Sequence, residues 1–195
     1  MSEHPSVGST ATDARARIVD AGARCITRDG VAGASMAAIA LEAGVSKALL
    51  HYHYRDRASL LAEIVEHLGA GLIGRERAAV DRLDAMSGLN ALWGWLDDEL
   101  RRGELASVGA LALVREGQVR EASRTVADHR RRSAARTVER LFAQLELAPR
   151  VPAAMMAEAS VAFTDGLALD VAGGSPRDPR VSFDIFWLGL LSLTE

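Results

Sequence analysis

The stretch that most constrains the fold of this chain is residues 35–61, SMAAIALEAGVSKALLHYHYRDRASLL. It predicts two short helices separated by a tight turn and followed by the start of a longer helix. Ser35 is suited to cap the first helix, because its hydroxyl can accept a hydrogen bond from an unpaired backbone N–H group. Gly44 is suited to end that helix, since glycine adopts the left-handed conformation at low cost. Ser46 is expected to cap the second helix, over about 47–52.

The apolar residues of this stretch recur at helical spacing and assign an inner face to both short helices. Ile39, Val45 and Leu50 are expected to pack inwards. Two short helices joined by a three- or four-residue turn containing glycine form a helix-turn-helix, whose second helix enters the major groove of DNA. The residues left for the outer surface of this second helix are Lys47, Ala48, Leu49, His51 and Tyr52.

Residues 14–61 resemble the DNA-binding domain of the TetR family of transcriptional regulators. The matching residues are Ile39-Ala40, Ala43-Gly44-Val45-Ser46, Tyr52-His53-Tyr54, Arg57 and Leu60-Leu61. The resemblance implies a homodimer that binds a palindromic operator in double-stranded DNA. It also implies that the operator is usually released when a small-molecule effector binds the second domain.

The chain departs from the family pattern on the surface that would face the DNA. Ala37 and Ala38 stand where many members have an arginine and an acidic residue, and Ala48-Leu49 stands where many have Gly-Thr. The base-facing set is therefore poor in hydrogen-bonding groups. More of the recognition is expected from backbone contacts and DNA shape.

We expect the DNA contacts to come from the two short helices and the start of the fourth helix. Tyr52 and Arg57 are expected to bind phosphate, whereas Lys47 lies early on the recognition helix, within reach of base edges. Arg15 and Arg17 either reach phosphate or belong to a solvated first turn. The predicted DNA-binding set is Ser35, Met36, Ser46, Lys47, Ala48, Leu49, His51, Tyr52 and Arg57.

The charge balance indicates that any DNA contact is local. The 195 residues include 23 Lys and Arg against 26 Asp and Glu, a net charge of −3, which does not suit a non-specific nucleic-acid coat. Lys47, the only lysine of the chain, lies on the predicted recognition helix. A single cysteine, Cys25, excludes an internal disulfide. With no signal peptide or membrane-spanning apolar run, we expect a cytoplasmic protein.

The helical pattern divides the chain into three parts. Residues 1–11 are rich in Ser, Pro, Gly and Thr and are expected to form a disordered tail. Residues 12–56 are expected to form the helix-turn-helix domain, whose first helix is predicted over 13–29 with Thr12 as its cap. Residues 57–195 are expected to form a helical domain for effector binding and dimerisation.

A fourth helix over about 57–80 is expected to join the two domains without a flexible linker. Further helices are predicted over 89–102, 105–115, 119–147, 155–172 and 181–193. No stretch shows a strand pattern. The fold class is therefore all-α: an N-terminal three-helix helix-turn-helix domain joined by a continuous helix to a C-terminal helical ligand-binding and dimerisation domain.

The last two helices are apolar on more than one face. A helix that is apolar nearly all round is buried on both sides, and a second copy of the chain is the simplest cover for the second side. The family resemblance agrees, because it implies that these two helices pair into a four-helix dimer interface. The predicted interface residues are Met155, Met156, Leu167, Phe183, Phe186, Trp187 and Leu190.

The second domain is larger than dimerisation alone requires, which favours an internal effector cavity. Few fixed charges lie on its inward rows, so a largely apolar or weakly polar small molecule is expected. Trp93 and Trp95 are as well suited to the core as to a cavity, and two residues apart on a helix they cannot both face one cavity. The predicted lining residues are Met86, Trp93, Leu111, Phe142 and Phe163.

Two charged features in the second domain have two interpretations each. Asp165, in an apolar segment, is interpreted as an interface residue with satisfied hydrogen bonds rather than a ligand anchor. The arginines at 130–132 are interpreted as a solvated helix face rather than a second DNA-binding patch.

The sequence lacks G-x-S-x-G, a phosphate-binding glycine loop and H-E-x-x-H, so no catalytic residue is predicted. No cofactor is predicted. No metal is predicted either, because His51 and His53 point to different faces of a helix. Three classes of protein remain. The first is a ligand-responsive repressor, and the second is a regulator that activates or needs no ligand. The third is a helical module or enzyme that does not bind DNA. Lys47, Tyr52 and Arg57 disfavour the last, and the sequence does not separate the first two.

Overall fold

The chain folds into helices joined by short turns, in a computed structural model that describes residues 7–81 and 88–194. The helices in these ranges are α1 (Val7–Gly33), α2 (Met36–Ala43), α3 (Lys47–His53), α4 (Arg57–Val80), α5 (Gly88–Arg102), α6 (Glu104–Ala112), α7 (Gly117–Gln144), α8 (Ala153–Ala172) and α9 (Pro179–Leu191). One isolated bridge, between Pro149 and Thr194, is the only strand-like pairing within them. The predicted all-α fold is confirmed.

Helix α1 begins earlier than the sequence predicted. It starts at Val7, so Thr12 lies inside the helix instead of capping it, and residues 7–11, expected in a disordered tail, are helical. Extending a helix adds one hydrogen bond for each residue fixed, which offsets the modest cost of Gly, Ser and Thr. The remainder of the expected tail, residues 1–6, lies outside the described residues. The predicted end is correct, since Gly30 has a φ of 71° where α1 kinks.

The caps of the helix-turn-helix form as predicted. The Ser35 hydroxyl accepts a hydrogen bond from the backbone N–H of Ala38 at 3.1 Å. Gly44 ends α2 with a φ of 64°, and the Ser46 hydroxyl accepts from the backbone N–H of Leu49 at 3.1 Å. The inward-facing residues of α1, α2 and α3 are buried, namely Ile18, Ala21, Gly22, Cys25, Ile26, Ile39 and Leu50. Local capping signals therefore fix the recognition helix on this core.

Helix α4 connects the helix-turn-helix to the remaining helices. Its cap, which the sequence did not single out, is Asp56, whose carboxylate accepts from the backbone N–H of Ser59 at 2.8 Å. Its 24 residues span about 36 Å at 1.5 Å per residue. The apolar row of α4 that faces the core is buried: Leu60, Leu61, Ile64, Val65, Leu68 and Leu72.

Two contacts fix the C-terminal half of α4 against its neighbours. Gly69 allows α7 to approach closely, because a Cβ added to it would lie 2.4 Å from Cγ1 of Val126. Arg75 joins α4 to two other helices, donating to the carboxylates of Glu99 on α5 and Glu104 on α6, each at 2.5 Å. The side chain of Glu99 is 1% exposed, so this ion pair is buried on one side.

Every helix in the described ranges is too short or too polar to cross a membrane.

Candidate nucleic-acid interface and internal cavity

The outer face of α3 is exposed. Tyr52 is 80% exposed, and Lys47, Ala48 and His51 are exposed beside it, with Leu49 partly covered. This is the face that the sequence left for solvent, and it carries one fixed positive charge. A short helix that presents such a face beyond a supporting helix has the geometry needed to enter a major groove.

The other predicted DNA-contacting residues of α2 and α3 have structural roles. The hydroxyls of Ser35 and Ser46 are occupied as helix caps, although both residues are exposed. Met36 is half-buried and packs against the core. Their positions beside the exposed face are as expected, but contact with DNA stays a prediction for each.

Arg57, expected to bind phosphate, donates hydrogen bonds to the backbone at the end of α1 and just after it. Its guanidinium donates to the carbonyl oxygen of Ala34 at 3.1 Å and to that of Val31. Because Arg57 is the first residue of α4, this contact ties the start of α4 to the loop that precedes α2. In the described part of the chain, the neighbouring Arg55 is exposed and makes no ion pair, so it is a candidate phosphate ligand that sequence reasoning missed.

The two arginines of α1 differ in their contacts. Arg15 pairs with Glu63 of α4, with 2.6 Å between Nη2 and Oε2, and lies over the Tyr54 ring at 5.7 Å. Arg17 is exposed, and its nearest ion-pair partner is Asp13 at 3.8 Å. The Arg15 contact therefore gives a second tie between α1 and α4.

A small cavity lies among helices α4 to α9, with a volume of about 50 Å³. That space holds only a few water molecules, whereas pockets for drug-sized ligands have about 300–1,000 Å³. Five aromatic residues line it: Trp95, Phe163, Phe183, Phe186 and Trp187. The rings of Phe163 and Phe186 are stacked, with centroids 4.2 Å apart. A larger guest would have to move side chains of this wall.

The cavity wall also carries two charged side chains. Glu76 of α4 is 7% exposed and Arg130 of α7 is 8% exposed. Arg130 donates to Asp165 of α8 at 2.6 Å, so Asp165 has a partner, as expected. Of the three consecutive arginines, Arg130 is buried and paired, whereas 131–132 are exposed. The expectation that few fixed charges lie on the inward rows is wrong for this wall.

Glu76 is held by hydroxyl groups rather than by a cation. Oγ1 of Thr137 donates to Oε1 of Glu76 at 2.7 Å. Burial raises the pKa of the Glu76 carboxyl above its ordinary value, while hydrogen bonds from Thr137 and Ser133 and the charges of Arg130 and Arg136 oppose that rise. The carboxyl therefore sits in a desolvated site and, among the described residues, makes no direct ion pair.

The structure changes the predicted membership of the cavity. Phe163 lines it, as predicted, but Leu111 and Phe142 are buried in the core and do not. Trp93 packs instead on Phe183, with ring centroids 5.2 Å apart. Trp95 faces the cavity in its place, which agrees with the argument that the two tryptophans cannot share one. Met86 lies outside the described residues.

Most of the predicted dimer-interface residues face the interior of this chain. Phe183, Phe186 and Trp187 line the cavity. Met156, Leu167 and Leu190 are buried within the chain, and of the set only Met155 is exposed, at 61%. Residues that share a helix with an exposed row need not share its face, and a place in a dimer interface stays a prediction for this set.

A different row of α8 and α9 is left uncovered. Among the largest exposed apolar residues of the described chain are Ile185 at 66% and Leu188 at 67%. The outward row of α8 and α9 is Met155, Ala159, Ala162, Gly166, Leu169, Val181, Ile185 and Leu188. We call these eight residues the outer α8–α9 row. On each of the two helices these residues occur at intervals of three or four, so each helix presents one exposed row.

The fold combines a helix-turn-helix, whose second helix is exposed, with a bundle of C-terminal helices. The family model for bacterial regulatory proteins of the tetR family matches residues 18–64. Over these residues the chain matches the DNA-binding domain of the TetR family of transcriptional regulators. No curated protein sequence matches the chain.

Solved structures show the same fold over nearly the whole chain. A TetR transcription regulator from Haloarcula marismortui ATCC 43049 is 17% identical with a TM-score of 0.76, covering 94% of this chain and 100% of that one. A putative regulator from Saccharomonospora viridis in complex with choline is 22% identical with a TM-score of 0.72, covering 94% and 99%. FadR from Bacillus subtilis in complex with stearoyl-CoA is 14% identical with a TM-score of 0.70, covering 90% and 97%.

Proposed function

We propose that this chain is a ligand-responsive repressor that acts in the cytoplasm as a homodimer on a pseudo-palindromic operator. A small molecule in the internal cavity would release it from the DNA. The observation that carries this proposal is the course of α4. The helix starts at Arg57, bonded to the loop before α2, and lines the cavity with Leu72, Ile73 and Glu76. A change in the cavity is thereby linked mechanically to the recognition helix.

A second contact supports this link. The hydroxyls of Thr27 on α1 and Ser107 on α6 are hydrogen-bonded at 3.1 Å. Rotation of the helix-turn-helix relative to α6 would have to break or move this contact. We propose that residues 12–56 form the DNA-binding domain and residues 57–195 the effector-binding and dimerisation domain. Helix α4 then extends from the second domain into the core of the first.

In DNA binding, we assign Lys47 to base edges and Tyr52 and Arg55 to phosphate. Ala48 and Leu49 offer apolar contact to thymine methyl groups. Lys47→Ala should then cost about 1–3 kcal/mol on an operator selected by the protein from random DNA. A fluorescence titration compares this with binding to unselected DNA, and an equal loss on both would make Lys47 a phosphate contact.

The outer α8–α9 row supports homodimerisation. An apolar face of this length is unusual on a monomer, and Ala159, Ala162 and Gly166 let a second helix approach closely. Two-fold symmetry should place the half-site centres about one helical turn of DNA apart, or a multiple of it. Footprinting that returns a single half-site would contradict this arrangement.

The interface can be tested with one charge substitution and a matched control. Ile185→Arg places a charge in the outer α8–α9 row and should give monomers in sedimentation and weak operator binding. Leu113 is 79% exposed but lies outside that row, so Leu113→Arg should remain dimeric. If both variants stay dimeric and bind the operator, this row is not the interface.

The ligand response rests on the cavity and on linkage. Two of the similar structures are complexes with a small molecule, choline or stearoyl-CoA, which supports an effector for this chain too. A ligand that lowers the affinity of the protein for its operator must bind less tightly to the operator-bound protein by the same factor. This coupling free energy is typically about 1–3 kcal/mol. A thermal-shift screen, followed by operator titration with each hit, measures this coupling.

The alternative is a regulator that needs no ligand, or one that activates transcription. The small volume of the cavity is the observation that supports a regulator without a ligand. Ligands that bind equally well with and without operator would support that alternative. Reporter expression from the operator in a deletion strain separates the two signs of regulation. Expression should rise on deletion of a repressor and fall on deletion of an activator.

A further inference from the structure

The cavity carries one acidic group without a positive partner. Glu76 lies on its wall, 7% exposed, and its hydrogen bonds come from the neutral hydroxyl groups of Thr137 and Ser133. Arg130, the one basic residue on the same wall, has its own carboxylate, since Nη2 lies 2.6 Å from Oδ1 of Asp165. Within the described residues, Glu76 forms no ion pair. When Glu76 is ionised, Glu76, Arg130 and Asp165 together carry one excess negative charge.

The rest of the wall suits a cation with a carbon body. The rings of Trp95, Phe163, Phe183, Phe186 and Trp187 surround the same space. The faces of aromatic rings attract cations, and recognition of alkylated ammonium groups by rings is a recurring use of this attraction. A carboxylate buried without a counter-ion is costly, so a bound cation removes a penalty that a neutral guest leaves in place.

We propose that the effector is a small organic cation, whose ammonium group lies against the Glu76 carboxylate while its carbon body contacts the aromatic rings. This rests on the proposed function, because it names the class of ligand for the same cavity. It replaces the apolar or weakly polar effector expected from the sequence. An anion is disfavoured, since it would approach Glu76 while Arg130 is already neutralised by Asp165.

The test uses pairs of probes that differ in charge and little in shape. Choline is paired with 3,3-dimethylbutan-1-ol, and protonated benzylamine with benzyl alcohol, and binding is measured by calorimetry on the full-length protein. The first pair tests a quaternary ammonium, and the second tests a group that donates hydrogen bonds to the carboxylate. At least one cation should bind about tenfold or more tightly than its neutral twin.

The charge of Glu76 is then removed while its shape is kept. In Glu76→Gln the cation should lose its advantage, so that the ratio between the twins falls to about one, while the neutral twin binds as before. Unchanged binding of the neutral twin shows that the cavity is intact. Glu66, exposed on the same helix, provides the control, because Glu66→Gln removes an equal charge and should keep the preference.

Three results would overturn this inference: no binding of either cation, equal binding of cation and neutral twin in both pairs, or a preference that survives in Glu76→Gln. Operator titrations separate it from the proposed function. If a cation binds through Glu76 and operator affinity is unchanged, the ligand class stands and ligand-driven release fails. If an anionic or neutral molecule binds this cavity and releases the operator, release stands and the cationic class falls.

Discussion

The close approach of α4 to α7 at Gly69 can be tested with two alanine substitutions on one helix. A Cβ at Gly69 would lie 2.4 Å from Cγ1 and 2.9 Å from Cγ2 of Val126, whereas a Cβ at Gly74 would meet nothing within 4 Å. Both substitutions gain about 0.5–1 kcal/mol of helix propensity. Gly69→Ala also incurs overpacking of about 1–3 kcal/mol.

Gly74→Ala should therefore stabilise the protein, and the difference between the two variants measures the overpacking cost alone. For a chain of this size, 1 kcal/mol corresponds to about 2–4 °C in Tm. Urea and thermal unfolding are followed by circular dichroism at one protein concentration, since dimerisation contributes to stability. If Gly69→Ala proves as stable as Gly74→Ala, α4 and α7 are not packed as closely as described, and the rigid link from cavity to DNA loses its main support.

Three further predictions follow from the charged contacts. Arg57→Gln should lower the free energy of unfolding by about 1–3 kcal/mol through its lost hydrogen bonds. Arg55→Gln should instead leave stability unchanged and reduce the salt slope of DNA binding by about one, so the reverse pattern in urea and salt titrations would contradict both roles. Arg75→Met should lower the free energy of unfolding by about 3 kcal/mol or more, because it leaves Glu99 buried without a partner. The double variant Arg75→Met/Glu99→Gln should recover part of that loss. If both variants lose the same stability in urea unfolding, Glu99 is solvated. Because the folded-state pKa of Glu76 is raised, the folded protein holds this proton more tightly, and its contribution to stability falls as pH rises above the ordinary value of 4.5. The stability advantage of Glu76→Gln over wild type should thus grow from pH 4.5 towards neutrality in urea titrations, and a constant advantage would place Glu76 in solvent.

The N-terminal domain could be predicted closely because its signals are local. Ser35, Gly44 and Ser46 each act on backbone groups within a few residues, so their effect depends little on the rest of the chain. The start of α1 could not be predicted in this way. Once a helix has formed, its extension depends on small differences in propensity that a run such as Val-Gly-Ser-Thr-Ala leaves undecided.

The faces of α8 and α9 could not be assigned from their sequence. Both helices are apolar nearly all round, so periodicity predicts two buried faces without indicating which one meets the interior of the same chain. In α9 the aromatic residues Phe183 and Trp187 turn inwards, whereas Ile185 and Leu188 remain outside. That choice depends on the partners that α5, α7 and α8 supply, which only the tertiary arrangement provides.

The charged cavity residues did leave a signal, in the register of their helices. Glu76 follows Leu68 and Leu72 at intervals of four residues, so it continues the inward row of α4. Arg130 follows Val126 in the same way on α7. Reading charged residues as solvent-facing is right for most positions, but a charge in register with a buried row is the informative exception.

The contacts that would transmit an effector signal lie close together on α4. Within eight consecutive positions, Gly69 packs on α7, Arg75 pairs with α5 and α6, and Glu76 lines the cavity. A ligand changes DNA binding only by the difference in its affinity for the two arrangements of the recognition helices. Loosening α4 at Gly69 or Arg75 would let the cavity fill without moving Arg57, about 29 Å away along the helix. Such variants should therefore keep ligand affinity while losing part of the coupling to the operator, whereas Glu76→Gln should lose the ligand first.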